Sequence, residues 1–557
     1  MTFPKHILNP KNLPLLFLTL ATNLETQNMP NDCISYQNSG YFSALMNDYL
    51  DQKSTLQSLY NRFPTLENFE AQIIEKKKNF NEASRATLVS VLQQQYATVA
   101  TSALTNQNID ALNNPNTFTV TTGHQLNLFS GPLYFLYKII STINLTKELK
   151  AKYPTYNFVP IYWMATEDHD FEEINYFNFK GKKFRWNTES TGPVGRLSTK
   201  GLEDFFEVYA LELGSSTNAQ AIKKMFKDAY LNHDNLADAT RHLANALFGT
   251  YGLVIIDADN PDLKRPFIPY VKEELLHQSS HKLVLETAEK LKDYTVQVNP
   301  REINLFYIDD NLRERIIFEN DKFKVNHTNI EFSETEILKL LENHPEKFSP
   351  NVIMRPLYQE VILPNLCYIG GGGEIAYWLE LKSFFAAAKV TFPMLLLRNS
   401  VLLATEKQVK KADKLALSWE DLFLKQALLI NDKTKQLSGF PIDLDNLKQQ
   451  LKLQFENLYS LASQTDESFL GAVKAQEAKQ TKGLENLQKR LLKAQKRKLS
   501  EILHRITDLQ NELFPNQSLQ ERQANFSEFY LENGENLIPM IINQLKPLEN
   551  KFEVIIL

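Results

Sequence analysis

Ten residues hold the densest chemistry in this chain: Tyr162-Trp163-Met164-Ala165-Thr166-Glu167-Asp168-His169-Asp170-Phe171. Three carboxylates and an imidazole occupy the consecutive positions 167–170. Such groups take up and return protons near neutral pH, orient amines and bind cations. The apolar run at 158–165 reads as a buried strand. Burying unpaired charge costs several kcal/mol or more, so the ionisable half must reach solvent or a pocket. In α/β proteins the chemistry sits at this carboxyl edge of the sheet. A solvated strand-to-helix turn capped by Asp168 or Asp170 is the plainer alternative.

Two further loops have the same placement. Thr121-Thr122-Gly123-His124-Gln125-Leu126-Asn127-Leu128-Phe129-Ser130-Gly131-Pro132-Leu133-Tyr134 joins a strand expected at 117–122 to an amphipathic helix expected at 133–149. Gly123 permits close backbone approach, and the amides opening the helix can hold negative charge. His124 can titrate near neutral pH as acid or base. Gly370-Gly371-Gly372-Gly373-Glu374-Ile375-Ala376-Tyr377-Trp378 gathers four of only 18 glycines between a strand and a helix, as a backbone-donor loop would. Glu374, Tyr377 and Trp378 fall on the first turns of that helix. Arg355 reads as a strand-end clamp for a carboxylate or phosphate, with a surface ion pair as the competing reading.

Asp168-His169-Asp170 contains ligand types for a divalent ion, but adjacent residues of an extended segment alternate sides, so at most two of the four ionisable groups face one ion. No tight structural metal is expected. A nucleotide-borne Mg²⁺ is easier to accommodate, since it needs only one or two carboxylates.

These loops need a sheet to hold them. The strand at 117–122, a helical crossover and the strand at 158–165 make a parallel, right-handed β-α-β unit. Further strands are expected at 253–257, 303–308, 352–354, 366–369 and 392–397, with helices between most of them: a doubly wound α/β sheet. After Arg398 the chain turns helical. Leu499, Ile502, Ile506, Leu509 and Leu513 keep the 3-4-3-4 spacing of a coiled-coil seam, and Leu484, Leu487 and Leu491 repeat it after a stutter. The basic cluster at 489–498 has no interleaved aromatics for stacking, so it reads as a solvated helix face. The tail at 552–557 looks like a strand returning to the main body.

At 557 residues the chain is too long for one compact core. A net charge of −5 gives no sequence-wide reason for nucleic acid or an anionic membrane as partner. Only Cys33 and Cys367 are present, which excludes a disulfide framework and favours a reducing, cytoplasmic setting. The run at 13–21 imitates a signal peptide but lacks a clean cleavage site, and no stretch reaches membrane-spanning length.

Five strings in order carry a resemblance: Thr122-Gly123-His124-Gln125 through Tyr137-Lys138; Trp163 through Ile174; Gly192-Pro193-Val194-Gly195-Arg196; Arg355-Pro356-Leu357; and Gly373-Glu374-Ile375-Ala376-Tyr377-Trp378. With the closing Leu519-Gln520-Glu521-Arg522 segment, the chain resembles the bacillithiol biosynthesis cysteine-adding enzyme family from about residue 41 to 557. The resemblance implies a Rossmann-like core akin to nucleotidylyltransferases and class I aminoacyl-tRNA synthetases, with an inserted coiled-coil domain, and a homodimer. The divisions expected are a disordered extension at 1–28, a Rossmann-like catalytic core with N-terminal helices and insertions at 29–398, a helical coiled-coil domain at 399–515 and a returning C-terminal segment at 516–557. Where the synthetases carry His-Ile-Gly-His, Tyr134-Phe135-Leu136-Tyr137 stands instead, so His124 or His169 would take over.

The implied reaction joins L-cysteine to the amine of glucosaminyl-malate, making the low-molecular-weight thiol bacillithiol. A free carboxylate is a poor acyl donor, so ATP is expected as activator, with Mg²⁺ alongside. His124, Asp168, His169 and Asp170 are the catalytic candidates. Gln125, Tyr134, Trp163, Arg355, Gly371, Gly372, Gly373, Glu374, Tyr377 and Trp378 are candidates for substrate, and Gly123, Gly131 and Lys138 for nucleotide. Two rival readings remain: a metal-assisted amidohydrolase or deacetylase using 167–170, and a scaffold whose product is the coiled coil.

Overall fold

The structure, a computed structural model, describes residues 32–557; the extension expected at 1–28 lies outside the described residues. Five strands form a wholly parallel sheet: β1 (Thr117–His124), β2 (Asn157–Met164), β3 (Val254–Asp257), β4 (Asn365–Gly370) and β5 (Met394–Leu397). β1 is rich in β-branched Thr and Val, and all eight of its residues are buried, as a central parallel strand covered on both faces requires. The spatial order is β5-β4-β1-β2-β3. The order therefore reverses between β1 and β4, and ligands of α/β sheets bind at such a switch point.

Neighbouring residues on β2 show both coverings. Tyr162 points to one face and meets Phe135 of α1 (Tyr134–Lys152) edge-on at 5.4 Å. Trp163 points to the other and meets Tyr358 of α2 (Met354–Ile362) at 5.5 Å. Trp378 of α3 (Gly372–Leu379) covers Tyr368 of β4 on that second face. The sheet is doubly wound, as expected.

Two expected strands belong elsewhere. The run at 303–308 is not in the parallel sheet: Leu305–Asp309 joins Leu312–Glu319, Lys322–Val325, Glu331–Phe332 and Phe348–Pro350 in an antiparallel sheet. An apolar run reports burial and not its pairing partner. Residues 352–354 form the turn into α2, where the amides of Ile353 and Met354 donate to Asn351 Oδ1. A third, small sheet pairs Lys551–Ile556 with both Asp32–Ser35 and Ser400–Ala404.

In the helical region α4 (Asp445–Ala462) and α5 (Glu467–Lys498) pack as a hairpin around Phe455, Ala462 and Val473. The helix breaks at Leu499, where φ is −96° and ψ 13°, and resumes as α6 (Ser500–Leu513). The seam at 499–513, read from its spacing as that of a coiled coil, packs largely within its own chain. Ile506, Leu509 and Leu513 are buried in the main core of their own chain. Gln510 Nε2 donates to the carbonyls of Leu422 and Leu424, fixing α6 on the segment just after the sheet.

Candidate active site

The carboxyl ends of β1, β2 and β4 open onto a cavity of about 1070 Å³. Gly123, His124, Gln125, Tyr134 and Lys138 line it from β1 and α1, and Trp163 with 167–170 from β2. Arg355, Gly371, Gly373, Glu374 and Tyr377 complete the lining from the helices Met354–Ile362 and Gly372–Leu379 and the loop before the latter. Three candidates lie off the lining. Gly372 faces an adjoining chamber of about 340 Å³, and Trp378 is buried against Tyr368. Gly131 takes φ 61°, with Asn525 Nδ2 donating to its carbonyl at 2.6 Å.

The acidic run divides by depth. Glu167 turns inward and pairs with Lys264, whose Nζ also lies 3.6 Å from Asp259. Burial raises the Glu167 carboxyl above its usual range, against the pull of Lys264. Asp168, His169 and Asp170 face the cavity. Gln125 Nε2 donates to Asp168 Oδ2 at 3.0 Å, and the His169 amide to Asp168 Oδ1 at 2.8 Å. Arg313, from the antiparallel sheet, reaches His169 Nδ1 at 2.7 Å and lies 3.7 Å from Asp168 Oδ1. A guanidinium only donates, so Nδ1 is the acceptor in this contact. Asp170 opens the short helix Phe171–Ile174 without a side-chain cap bond, so the plain capping role is unfilled.

His124 differs from the expectation of a titrating group. Its ring is buried, and burial together with the cations Lys138 and Arg398 holds its pKa well below 6.5. It is a neutral imidazole whose Nε2 has no protein partner. Lys138 Nζ donates to the Gly123 carbonyl at 2.7 Å and pairs with Glu374 at 2.5 Å. Glu374 also accepts from Tyr368 OH at 2.7 Å and from the Gly371 amide at 2.8 Å. Burial opposes the charge on Glu374, but Lys138 wins and holds its pKa below 4.5.

The expected anion cradles are therefore partly occupied by the chain itself. The Gly371 amide serves Glu374, and ahead of α1 the Leu133 amide donates to the Ala524 carbonyl at 2.9 Å. Gly370 to Gly373 all have ordinary φ. What glycine provides there is room: a Cβ on Gly370 would stand 3.0 Å from both Tyr368 and Glu374 side chains. Arg355 lies on α2 and not at a strand end. It contacts Gln359 Oε1 at 3.1 Å and Tyr377 OH at 3.4 Å, over the Trp163 and Tyr368 rings. Among the described residues no carboxylate forms an ion pair with it, so its charge is available to a ligand.

Sequence reasoning missed Arg313, Lys264, Arg398 and Arg522. Arg398 pairs in a fork with Glu521 at 2.7 and 3.0 Å, yet its buried Nε has no partner. Arg398 and Arg522 both lie over the Tyr134 ring. Arg522 belongs to the closing Leu519-Gln520-Glu521-Arg522 string, which was the one available signal. Lys264 and Arg313 come from distant, unremarkable contexts. They also occupy the acidic run where a hydrolytic metal would have to bind, and no group of three or more potential metal ligands forms among the described residues.

The comparisons with known proteins agree with this architecture. Residues 29–399 match the family described as bacillithiol biosynthesis BshC, N-terminal Rossmann-like domain, and residues 401–557 its C-terminal coiled-coil domain. A Flavobacterium johnsoniae protein described as "Putative cysteine ligase BshC" is 73% identical over 527 residues, covering 95% of this chain and 100% of its own. Proteins of the same description from Christiangramia forsetii and Cytophaga hutchinsonii are 58% and 38% identical, covering 95% and 92% of this chain and 99% and 96% of their own. No helix among the described residues is long and apolar enough to cross a membrane. The chain belongs to the BshC family of bacillithiol biosynthesis, and it is a ligase.

Proposed function

We propose that this ligase joins the carboxyl of L-cysteine to the amine of glucosaminyl-malate, with ATP activating the cysteine carboxylate. The observation that carries the reading is one cavity lined both by a cation and by carboxylates. Arg355, with no carboxylate ion pair among the described residues, lines it together with Asp168 and Asp170. A malate carboxylate suits the cation and an amine the carboxylates. Activation replaces the oxide leaving group by phosphate or AMP. The amine then attacks the acyl carbon, the activated oxygen departs, and Asp168 or Asp170 takes the amine proton. Phosphate charge would meet Arg522 and Arg398, which line the same cavity. Mg²⁺ carried by the nucleotide would need only one or two of the cavity's carboxylates, and Glu173 lines the cavity beside Asp168 and Asp170.

The cytoplasm suits this chemistry, since both cysteines are free thiols and the product is itself a thiol. The hairpin of α4 and α5 exposes Leu447, Leu458, Leu461 and Leu487, a surface suited to a second copy of the chain. The test is an assay with cysteine and glucosaminyl-malate, with and without ATP, scored by the mass of the thiol product. Product that forms equally well without nucleotide would refute the activation step. Absence of product with all three present would refute the reading.

A further inference from the structure

Gly192-Pro193-Val194-Gly195-Arg196 lies outside the cavity lining, yet it touches both elements that place Asp168 and His169. On one side it meets the antiparallel sheet. Gly192 has φ 72°, and a Cβ there would stand 2.6 Å from Leu312 N and 2.8 Å from Asn311 C, so the hairpin turn between Leu305–Asp309 and Leu312–Glu319 is pressed against bare backbone. On the other side it meets the acidic loop. A Cβ on Gly195 would stand 2.6 Å from Thr166 Cβ and 2.9 Å from Thr166 O. The Val194 amide donates to the Asp168 carbonyl at 2.7 Å and the Gly195 amide to the Thr166 carbonyl at 2.8 Å.

Arg196 joins the two sides by charge. It grips Asp259 in a fork at 2.8 and 3.0 Å, and its NH1 donates to Asp310 in the hairpin turn at 2.9 Å. Asp259 in turn lies beside Lys264, the partner of Glu167. The strand leaving that hairpin turn carries Arg313, which reaches across to His169 and Asp168. The acidic loop and Arg313 are 144 residues apart in sequence, and segment 192–196 lies between them as a spacer of fixed thickness.

We propose that segment 192–196 is a positioning element that sets Arg313 against Asp168 and His169, with Arg196 as its key residue. A slack spacer would let the antiparallel sheet shift against the parallel one. The guanidinium of Arg313 would then leave His169 Nδ1, and the aim of the cluster would be lost. The inference rests on the reading that Asp168 acts in the ligase reaction.

The test uses the full chain with Arg196→Gln, Arg313→Gln and the double variant, read by steady-state kinetics and by amide hydrogen exchange. Arg196→Gln should lower kcat about tenfold or more while KM for each substrate stays within about threefold. The double variant should be no worse than Arg313→Gln alone, since both act on one arrangement. Exchange should rise together at 166–170 and 305–316 in Arg196→Gln. Arg196→Lys, which keeps the charge but not the fork, should fall between wild type and Arg196→Gln, and it substitutes if the latter does not fold. Additive losses, or exchange that rises only beside residue 196, would overturn the proposal. If the wild type itself forms no product, the ligase reading fails, and the exchange result still decides the positioning role.

Discussion

Lys138 and Glu374 hold opposite sides of the switch point together: a helix that follows β1 and a helix that follows β4 meet through a 2.5 Å ion pair. Lys138 is almost wholly enclosed, and removing its partner leaves a buried cation uncompensated. Glu374→Ala should therefore cost about 3 kcal/mol or more in denaturant unfolding. Lys138→Met combined with Glu374→Gln should cost less than the two single losses added, because neither charge is then stranded.

Asp168 is a surface of the cavity and not a part of the core. Asp168→Asn keeps the side chain's shape and one of its two acceptors, enough for the His169 amide, while removing the charge and the acceptor for Gln125. Product formation should fall about a hundredfold or more with the unfolding midpoint nearly unchanged. A large fall in midpoint would return Asp168 to a structural role.

His124 offers a pH signature. Burial and the neighbouring Lys138 and Arg398 depress its folded pKa below the ordinary 6.5. The unfolded chain then binds the extra proton first, so the folded state loses stability as pH falls below about 6.5. His124→Gln removes that linkage: the stability gap between wild type and variant should shift in the variant's favour between about pH 7 and pH 5. The acid limb of the rate profile should keep its midpoint in His124→Gln, since a neutral imidazole supplies no titration there.

Glu380 gives the opposite sign. Burial pushes its carboxyl up to about 7, and its Oε1 accepts the Gln297 amide while Oε2 has no partner. The folded state binds the proton more tightly than the unfolded one. Its contribution is therefore present below about 4.5 and is lost as pH rises through about 7. Glu380→Gln, which mimics the protonated form, should stabilise the chain more at pH 8 than at pH 5.

The helical hairpin separates two kinds of leucine. Ile506→Glu with Leu509→Glu places charge in the chain's own core and should unfold α6 instead of releasing a monomer. Leu458→Glu with Leu461→Glu alters neighbours on one exposed helix face and should give a folded monomer in light scattering. A wild type that is monomeric would refute the dimer.

The parallel sheet and its three loops were legible because buried strands, glycine turns and ionisable clusters leave local patterns. Thr117–His124 and Asn157–Met164 could be placed from their apolar and β-branched runs alone. The antiparallel sheet was not, because the run at 303–308 carries burial but no record of its partner. The same limit holds for the α6 seam: a 3-4 spacing says that a face is covered, not by what. The partners of the acidic run were hidden for a related reason. Lys264 and Arg313 reach Glu167 and Asp168 across long sequence separations, and pairing at a distance leaves no spacing to read.

The strand Lys551–Ile556 lies between Asp32–Ser35 and Ser400–Ala404, so the small sheet joins the two ends of the described chain. During synthesis the parallel sheet can assemble as soon as β5 emerges, but Ser400–Ala404 and Asp32–Ser35 have only each other's missing neighbour to pair with. They wait while the entire helical hairpin is made. The nascent chain thus carries two unpaired strand edges beside a nearly finished cavity until Lys551–Ile556 has emerged. Arg398 waits in the same interval for Glu521. A chain stopped short of residue 551 would retain the cavity's residues and lose the clasp that holds them, leaving a target for quality control in place of a weakened enzyme.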